Sequence, residues 1–319
     1  MTTFVVNKLA LDRFEQILKQ YWGYSSFRSI QRDIIESAYN GTDTLALMPT
    51  GGGKSITFQV PALAKEGVCL VITPLIALMK DQVENLKQRG IKATAIHSGL
   101  SVHEIDIELD NCIYGDIKFL YLSPERLASP LFRERLRKMK VNMVAVDESH
   151  CISQWGYDFR PSYLKITEIR ELLPSEVPFL ALTATATPDV VTDIQQKLGF
   201  RDGNVFRMSF ARENLVYLVR NVEDKLKHLL KIVNSIPGTG VVYVRSRDKT
   251  KDIALMLRKE GISADFYHAG LTMEIRNAKQ SDWQSNKTRV IVATNAFGMG
   301  IDKPDVRFVV HIDLPDSPE

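Results

Sequence analysis

The chain has 319 residues, a length that suits about two domains, each able to bury its own core. With 45% apolar and 25% charged residues it has the composition of an ordinary globular protein, which excludes a disordered or fibrous class. The formal net charge of +3 is too small to imply a nucleic-acid partner by itself, so any such contact must be local. In chain order, the first ~20 residues read as a helix carrying Leu9, Phe14 and Leu18 on its apolar face. Short apolar, β-prone runs follow at Thr44–Met48, Val68–Ile72, Ala93–Ile96, Lys118–Leu122, Met143–Asp147 and Phe179–Leu182. Helical patterns such as Leu78–Arg89 and Leu131–Lys138 lie between them. Strands alternating with helices predict an α/β fold with a parallel sheet. The pattern pauses around Arg207–Asn214 and restarts with strands at Leu215–Val219, Val241–Val244, Ala264–Tyr267, Val290–Ala293 and Phe308–His311. Helices are expected at Glu223–Asn234 and Thr250–Lys259, with a turn at Ser235–Gly240. Two tandem α/β units result, 1–208 and 209–319, the first electrically neutral and the second carrying the net +3.

Cys69, Cys112 and Cys151 are widely spaced and form no CxxC or Cys/His pattern, so the sequence supports neither a disulfide framework nor a structural zinc site. No apolar run reaches the length of a membrane span and no signal-peptide pattern opens the chain, so no membrane partner and a reducing cytoplasm are expected.

The first chemical motif is MPTGGGKS, Met48 to Ser55, after a strand and before a helix. Thr50, Gly51, Gly52 and Gly53 let backbone N–H groups crowd around phosphate oxygens, Lys54 adds a point charge and Ser55 offers a hydroxyl to Mg²⁺. The strict pattern has glycine where Met48 stands. The second motif is Asp147–Glu148 at the end of an apolar strand. Asp147 suits a magnesium ligand, and Glu148 suits the base that orients and deprotonates the attacking water. Upstream, YWGYSSFRSIQ holds Tyr24, Arg28 and Gln31; it reads equally as an adenine site, through Gln amide pairing and stacking, or as a helix with an aromatic core face. The densest basic cluster, Arg133, Arg135, Arg137, Lys138 and Lys140, reads as a solvated helix face.

These segments, with FRSIQ, VITPLIALMKDQV, HSGL, YLSPERL, DESHCISQWGYDFRP, LTATAT, VVYVRSR, YHAGL and VATNAFGMGIDKPDVRFVVH in that order, resemble the RecQ family of superfamily 2 DNA helicases over essentially the whole chain. The absence of a DEAD sequence and the aromatic loop after Asp147–Glu148 set it apart from an RNA helicase, the alternative within the same class. The resemblance implies two RecA-like lobes with ATP and Mg²⁺ between them, 3′-to-5′ translocation on single-stranded DNA, and unwinding of partially duplex DNA in recombination and repair, in a cytoplasmic, bacterial nucleoid-associated setting. By position it assigns Tyr24, Arg28, Gln31, Gly51–Ser55 and Asp302 to the nucleotide, Lys54 and Glu148 to catalysis, and Ser55 and Asp147 to the metal. It assigns His150, Thr183 and Thr185 to coupling. For DNA, turns after strands supply Thr73, Pro74, Ser98, Gly99, Ser246, His268 and Thr294, and the aromatic loop supplies Trp155, Phe159 and Arg160.

Two departures stand out. Tyr157 occupies a position where the family has histidine, and the chain stops at Glu319, before the motif that brings the family's arginine finger. Such fingers contribute on the order of three to five decades in rate. The expectation is a second lobe cut short and a polypeptide that binds ATP but hydrolyses it slowly, with Arg245 and Arg247 either standing in or making surface contacts. A nucleotide-gated binding module without turnover is the competing class.

Overall fold

The structure, a computed structural model, describes residues 13–49, 51–156, 158–184, 186–209, 214–298, 301 and 303–314. The chain divides into two units, 1–212 and 213–318. In the first, residues 13–22 are helical (α1) and α2 spans Gln31–Tyr39. Strands and helices then alternate: β1 Thr44–Leu47, α3 Lys54–Leu63, β2 Val68–Ile72, α4 Ile76–Gln88, β3 Ala93–Ile96, α5 Val102–Tyr114 and β4 Phe119–Leu122. After them come α6 Pro130–Leu136, β5 Val141–Val146, α7 Lys165–Arg170, β6 Phe179–Thr183, α8 Pro188–Lys197 and β7 Asn204–Arg207. Among the described residues these strands form one parallel sheet of order β3-β4-β2-β5-β6-β1-β7.

The sheet is parallel because its strands are apolar on both faces and must be covered twice. Along β5, Val144 and Val146 enter one core cluster while Met143 and Ala145 enter the other. In β1, Leu45 and Leu47 join the first cluster and Ala46 the second. Helices pack on each face, and α1, α2 and α3 share a cluster of their own built on Phe14, Leu18, Ile35 and Val60.

In the second unit α9 Lys225–Ser235, β8 Thr239–Tyr243, α10 Arg247–Lys259, β9 Ala264–Tyr267, α11 Met273–Gln284, β10 Val290–Ala293 and β11 Val306–His311 build a parallel sheet of order β11-β8-β10-β9. Its faces carry separate clusters around Val242 and Leu257, and around Trp283 and Phe297.

The expected strands are found within two residues of their predicted bounds, with one exception. Leu215–Val219 is not a strand. All five residues are exposed, Val219 at 94%. β propensity supplies a conformation but no partner, and none of the described strands pairs with this run. Conversely β7, short and half exposed, lacks the apolar pattern that marks the others; it is held by backbone pairing to β1. No described helix is long and apolar enough to cross a membrane.

Candidate active site

The order of the first sheet brings three strand ends together. β6 lies between β1 and β5, so the turn after β1, Thr183 at the end of β6 and Asp147 after β5 are neighbours. Met48 N donates to Thr183 O at 3.0 Å, and Asp147 N donates to Ile72 O at 2.9 Å. Ligands of open parallel sheets bind at this carboxyl edge.

From Met48 the chain turns into α3. Gly53 is the left-handed N-cap of that helix, at φ +78°, and a Cβ there would lie 2.4 Å from Gln31 Nε2. The positive φ is what favours glycine here, since the amide end of Gln31 can swing aside. Lys54 and Ser55 occupy the first turn of α3, where unpaired N–H groups and the positive end of the helix dipole favour an anion. Lys54 is mostly buried and its Nζ stands 3.8 Å from Glu148 Oε1.

Asp147 is buried, and no ion pair to it exists among the described residues. Its Oδ1 accepts from Glu148 N at 3.0 Å and its carbonyl accepts from Tyr163 Oη at 2.9 Å. Burial, then the adjacent Glu148 charge, hold its carboxyl well above the usual carboxylate range, with Lys54 opposing. A buried carboxylate with no cation paired to it and a hydroxyl at the start of α3 form an oxygen donor set that fits Mg²⁺. Glu148 adopts φ 47° and ψ 45°, a left-handed conformation that costs about 1–2 kcal/mol for a residue with a Cβ. Its two carboxylate oxygens face Lys54 and, at 3.4 Å, His150 Nδ1.

His150 lies in a 3₁₀ turn, Ser149–Ile152, and its Nδ1 is 2.9 Å from Thr183 Oγ1. Burial lowers the imidazole below its ordinary value, which favours the neutral ring. Glu148, His150 and Thr183 are thereby joined across two strand ends.

The upstream segment divides between its two readings. Tyr21, Trp22 and Phe27 pack on the core beside α1. Gln31 is buried against the phosphate loop: Oε1 accepts from Arg28 N at 2.8 Å, and Nε2 donates to Gly52 O at 3.1 Å and Gly53 O at 3.2 Å. Arg28 Nη1 donates to Gly51 O at 3.3 Å, and Tyr24 is half exposed. Arg28 and Gln31 therefore reach the loop that would hold phosphates, with Tyr24 open to solvent.

Beyond the 3₁₀ turn the aromatic loop doubles back, with Gly156 N donating to Ser153 O and Arg160 N to Cys151 O. A Cβ at Gly156 would meet His150 O at 2.8 Å, so only glycine fits. Trp155 projects outward, 79% exposed, while Phe159 lies under Lys197 Nζ at 5.8 Å from the ring centre. Arg160 binds Asp158 Oδ2 through Nε and Nη2 and reaches Pro74 O at 3.4 Å. This ties the loop after β5 to the turn after β2, where Thr73 is buried with no hydrogen bond to its hydroxyl. Ser98 and Gly99 form the turn after β3, with Gly99 N donating to His97 Nδ1 at 3.1 Å.

In the second unit, Ser246, His268 and Thr294 follow β8, β9 and β10 at the carboxyl edge of that sheet. Arg245 donates to Leu314 O at 3.1 Å and, through its backbone N–H, to Asp313 at 3.2 Å. Thr50, Tyr157, Thr185 and Asp302 lie outside the described residues. The basic cluster is locally neutralised: Arg133 pairs with Glu168, Arg135 with Asp106, Lys138 with Glu134 and Lys140 with Glu66.

Sequence reasoning did not single out Tyr163, Asp158 or Gly156. Tyr163 acts 16 residues from its partner Asp147. No spacing rule links the two. The glycine between two aromatics was the available signal for Gly156.

The sequence matches the DEAD/DEAH box helicase family over residues 28–194 and the helicase conserved C-terminal domain over 224–319. It is 41% identical over 314 residues to a probable ATP-dependent DNA helicase RecS of Bacillus subtilis, covering 97% of this chain and 63% of that protein. It is 42% identical to the ATP-dependent DNA helicase RecQ of Haemophilus influenzae, covering 95% and 49%. The chain thus spans between about half and two thirds of these relatives. Among solved structures, yeast Dbp5 bound to Gle1 superposes with a TM-score of 0.73 at 17% identity, covering 97% of this chain and 80% of that one. Mycobacterium smegmatis helicase Lhr does so at 0.67 and 20%, covering 91% and 42%. These likenesses concern the fold.

Proposed function

This chain belongs to the DEAD/DEAH box helicases, as a RecQ-type member, and from that premise we propose that it is the ATP-driven motor of a DNA helicase. The single observation that carries the reading is that the end of β5 bears both the acidic pair and the start of the aromatic loop. Asp147 and Glu148 at its end face the phosphate loop, and the loop it continues into ends at Arg160, bonded to the turn after β2.

In this reading Lys54 and the N–H groups at the start of α3 hold the phosphates of ATP. Asp147 and Ser55 hold Mg²⁺, which neutralises charge on the phosphates when bound. Glu148 orients the attacking water and accepts its proton. Arg28 and Gln31, with Tyr24, take the adenine, for which the Gln31 amide must leave the carbonyls of Gly52 and Gly53. Strand-end turns and the aromatic loop hold single-stranded DNA mainly through main-chain groups, hydroxyls and stacking, so little net charge is needed. His150, bonded to Thr183 and facing Glu148, passes the state of the loop to the hydrolytic carboxylate. The 3′-to-5′ direction rests on the resemblance to RecQ proteins. Slow turnover by these 319 residues is part of the proposal: Arg245, one guanidinium close to a strand end, is engaged with Leu314.

The test is DNA-dependent ATP hydrolysis by this protein with and without Trp155→Ala. Loss of DNA stimulation with retained Mg-ATP binding supports the reading; hydrolysis that stays fully DNA-dependent overturns the coupling role. Preferential competition by single-stranded RNA would shift the substrate to RNA.

A further inference from the structure

The same loop carries a second cluster, which shares His150 with the contacts to Thr183 and Glu148 and adds two residues the proposed hydrolysis does not use. A ring nitrogen of His150, the thiol of Cys151 and a carboxylate oxygen of Asp158 all lie within 4.8 Å of one another. Local backbone geometry brings them together. The 3₁₀ turn presents His150 and Cys151 together, and the Arg160 N–H bond to Cys151 O folds the loop back, setting Asp158 over the thiol. Cys151 Sγ is 3.7 Å from Asp158 Oδ2. A sulfur and an oxygen sharing one tetrahedral zinc stand about 3.6 Å apart, given Zn–S and Zn–O bonds of about 2.3 and 2.1 Å.

We propose that His150, Cys151 and Asp158 form a binding site for a single divalent cation of the zinc class. Sulfur, imidazole nitrogen and carboxylate oxygen are the donors zinc prefers, whereas Mg²⁺ and Ca²⁺ avoid thiolate. Three protein ligands leave one position to solvent, and Asp158, with its side chain 35% exposed, is the side from which an ion enters. Binding exchanges the thiol proton for the metal: Cys–SH and M²⁺ give Cys–S–M⁺, and one proton is released to solvent. The thiolate and the carboxylate together balance the ion's charge. Arg160 bonds to Asp158 Oδ2 and competes for it. The metal takes the second carboxylate oxygen or displaces the guanidinium, and displacement also loosens the tie to Pro74. The ion would thus clamp Asp158 to the 3₁₀ turn and stiffen the loop that bears Trp155. That consequence, lower DNA stimulation of ATP hydrolysis, rests on the function proposed above; the binding itself does not.

The two are separated by an optical measurement. The chain, reduced and nucleotide-free, is titrated with Co²⁺ alone. The expected result is one equivalent of cobalt with tetrahedral d–d bands and a thiolate-to-cobalt charge-transfer band, bleached by one equivalent of Zn²⁺. Co²⁺ on the Asp147–Glu148 carboxylates, an all-oxygen site, gives weak bands and no charge transfer. Cys151→Ser should abolish the charge-transfer band and Cys112→Ser should leave it. Asp158→Asn, at a partly exposed position, should weaken cobalt binding at least tenfold, and it covers the case in which serine at the buried position 151 disturbs folding. No charge-transfer band, a band that survives Cys151→Ser, or cobalt affinity unchanged by Asp158→Asn overturns the site. If the band behaves as expected but Zn²⁺ leaves DNA-stimulated hydrolysis unchanged, the metal site stands and the coupling role of the loop fails.

Discussion

At the scale of single residues, the site is paid for in backbone conformation. Glu148 holds its left-handed φ of 47° with a full side chain attached. The strained conformation goes with the placement of the Glu148 carboxylate, 3.8 Å from Lys54 Nζ. Replacing it by glycine removes the penalty, so the ligand-free Glu148→Gly protein should be about 1 kcal/mol more stable than Glu148→Ala, measured by urea unfolding. Equal stabilities would mean that the turn relaxes at no cost. Gly156 is the opposite case, a residue whose Cβ has no room. Gly156→Ala pushes a methyl group against His150 O and Ser153 O, and should destabilise the first unit by about 1–3 kcal/mol while weakening DNA stimulation more than Mg-ATP binding. Kinetics indistinguishable from wild type would show that the loop can shift freely.

At the scale of elements, four of the helices are fixed by a side-chain N-cap as well as by an apolar face: α5, α8, α9 and α11. α5, which follows the Ser98–Gly99 turn, begins with a capping box in which Ser101 Oγ accepts from Glu104 N and Glu104 Oε2 accepts from Ser101 N at 2.7 Å. These bonds hold the Glu104 carboxyl below its ordinary value of 4.5. A carboxylate with a lowered folded value adds stability that is fully present above the unfolded value and fades as pH falls through the folded one, because the unfolded state takes up the proton first. In Glu104→Gln that part of the acid sensitivity should vanish, so the difference in denaturation midpoint between it and wild type should be constant above pH 4.5 and shrink below it. A difference that does not change with pH would assign the cap to Ser101 alone. Elements were legible in the sequence where burial was two-sided. β1, β2 and β5 are runs of apolar residues because both faces meet a core. Leu215–Val219 has the same composition without a partner strand, and β7 has a partner without the composition, so composition misled in both directions. Within the site, Lys54, Asp147 and Glu148 were legible because each belongs to a contiguous motif. The His150–Thr183 bond and the grip of Gln31 on Gly52 and Gly53 were not, since they depend on which strands the sheet sets side by side.

At the scale of the whole molecule, two units with separate cores should respond differently to a ligand that only one can hold by itself. On the proposed function Mg-ATP engages the phosphate loop, and it should then raise the unfolding free energy of the first unit by about 2.7 kcal/mol at a hundredfold excess over Kd. Lys54→Ala should remove the gain, as scanning calorimetry would show. A gain that persists in Lys54→Ala would place the nucleotide elsewhere. The exposed run in the second unit has a consequence of another kind. Asn214–Val219 is six residues long, has no charge and no proline, is rich in β-branched and aromatic side chains, and stands in water. Such a segment sets colloidal behaviour rather than catalysis, because chains that meet can pair through it and grow into aggregates. Sedimentation of this polypeptide should therefore show mass rising with concentration, and Val219→Lys, which puts a positive charge beside that of Arg220 on the most exposed of these residues, should hold it monomeric and raise its solubility.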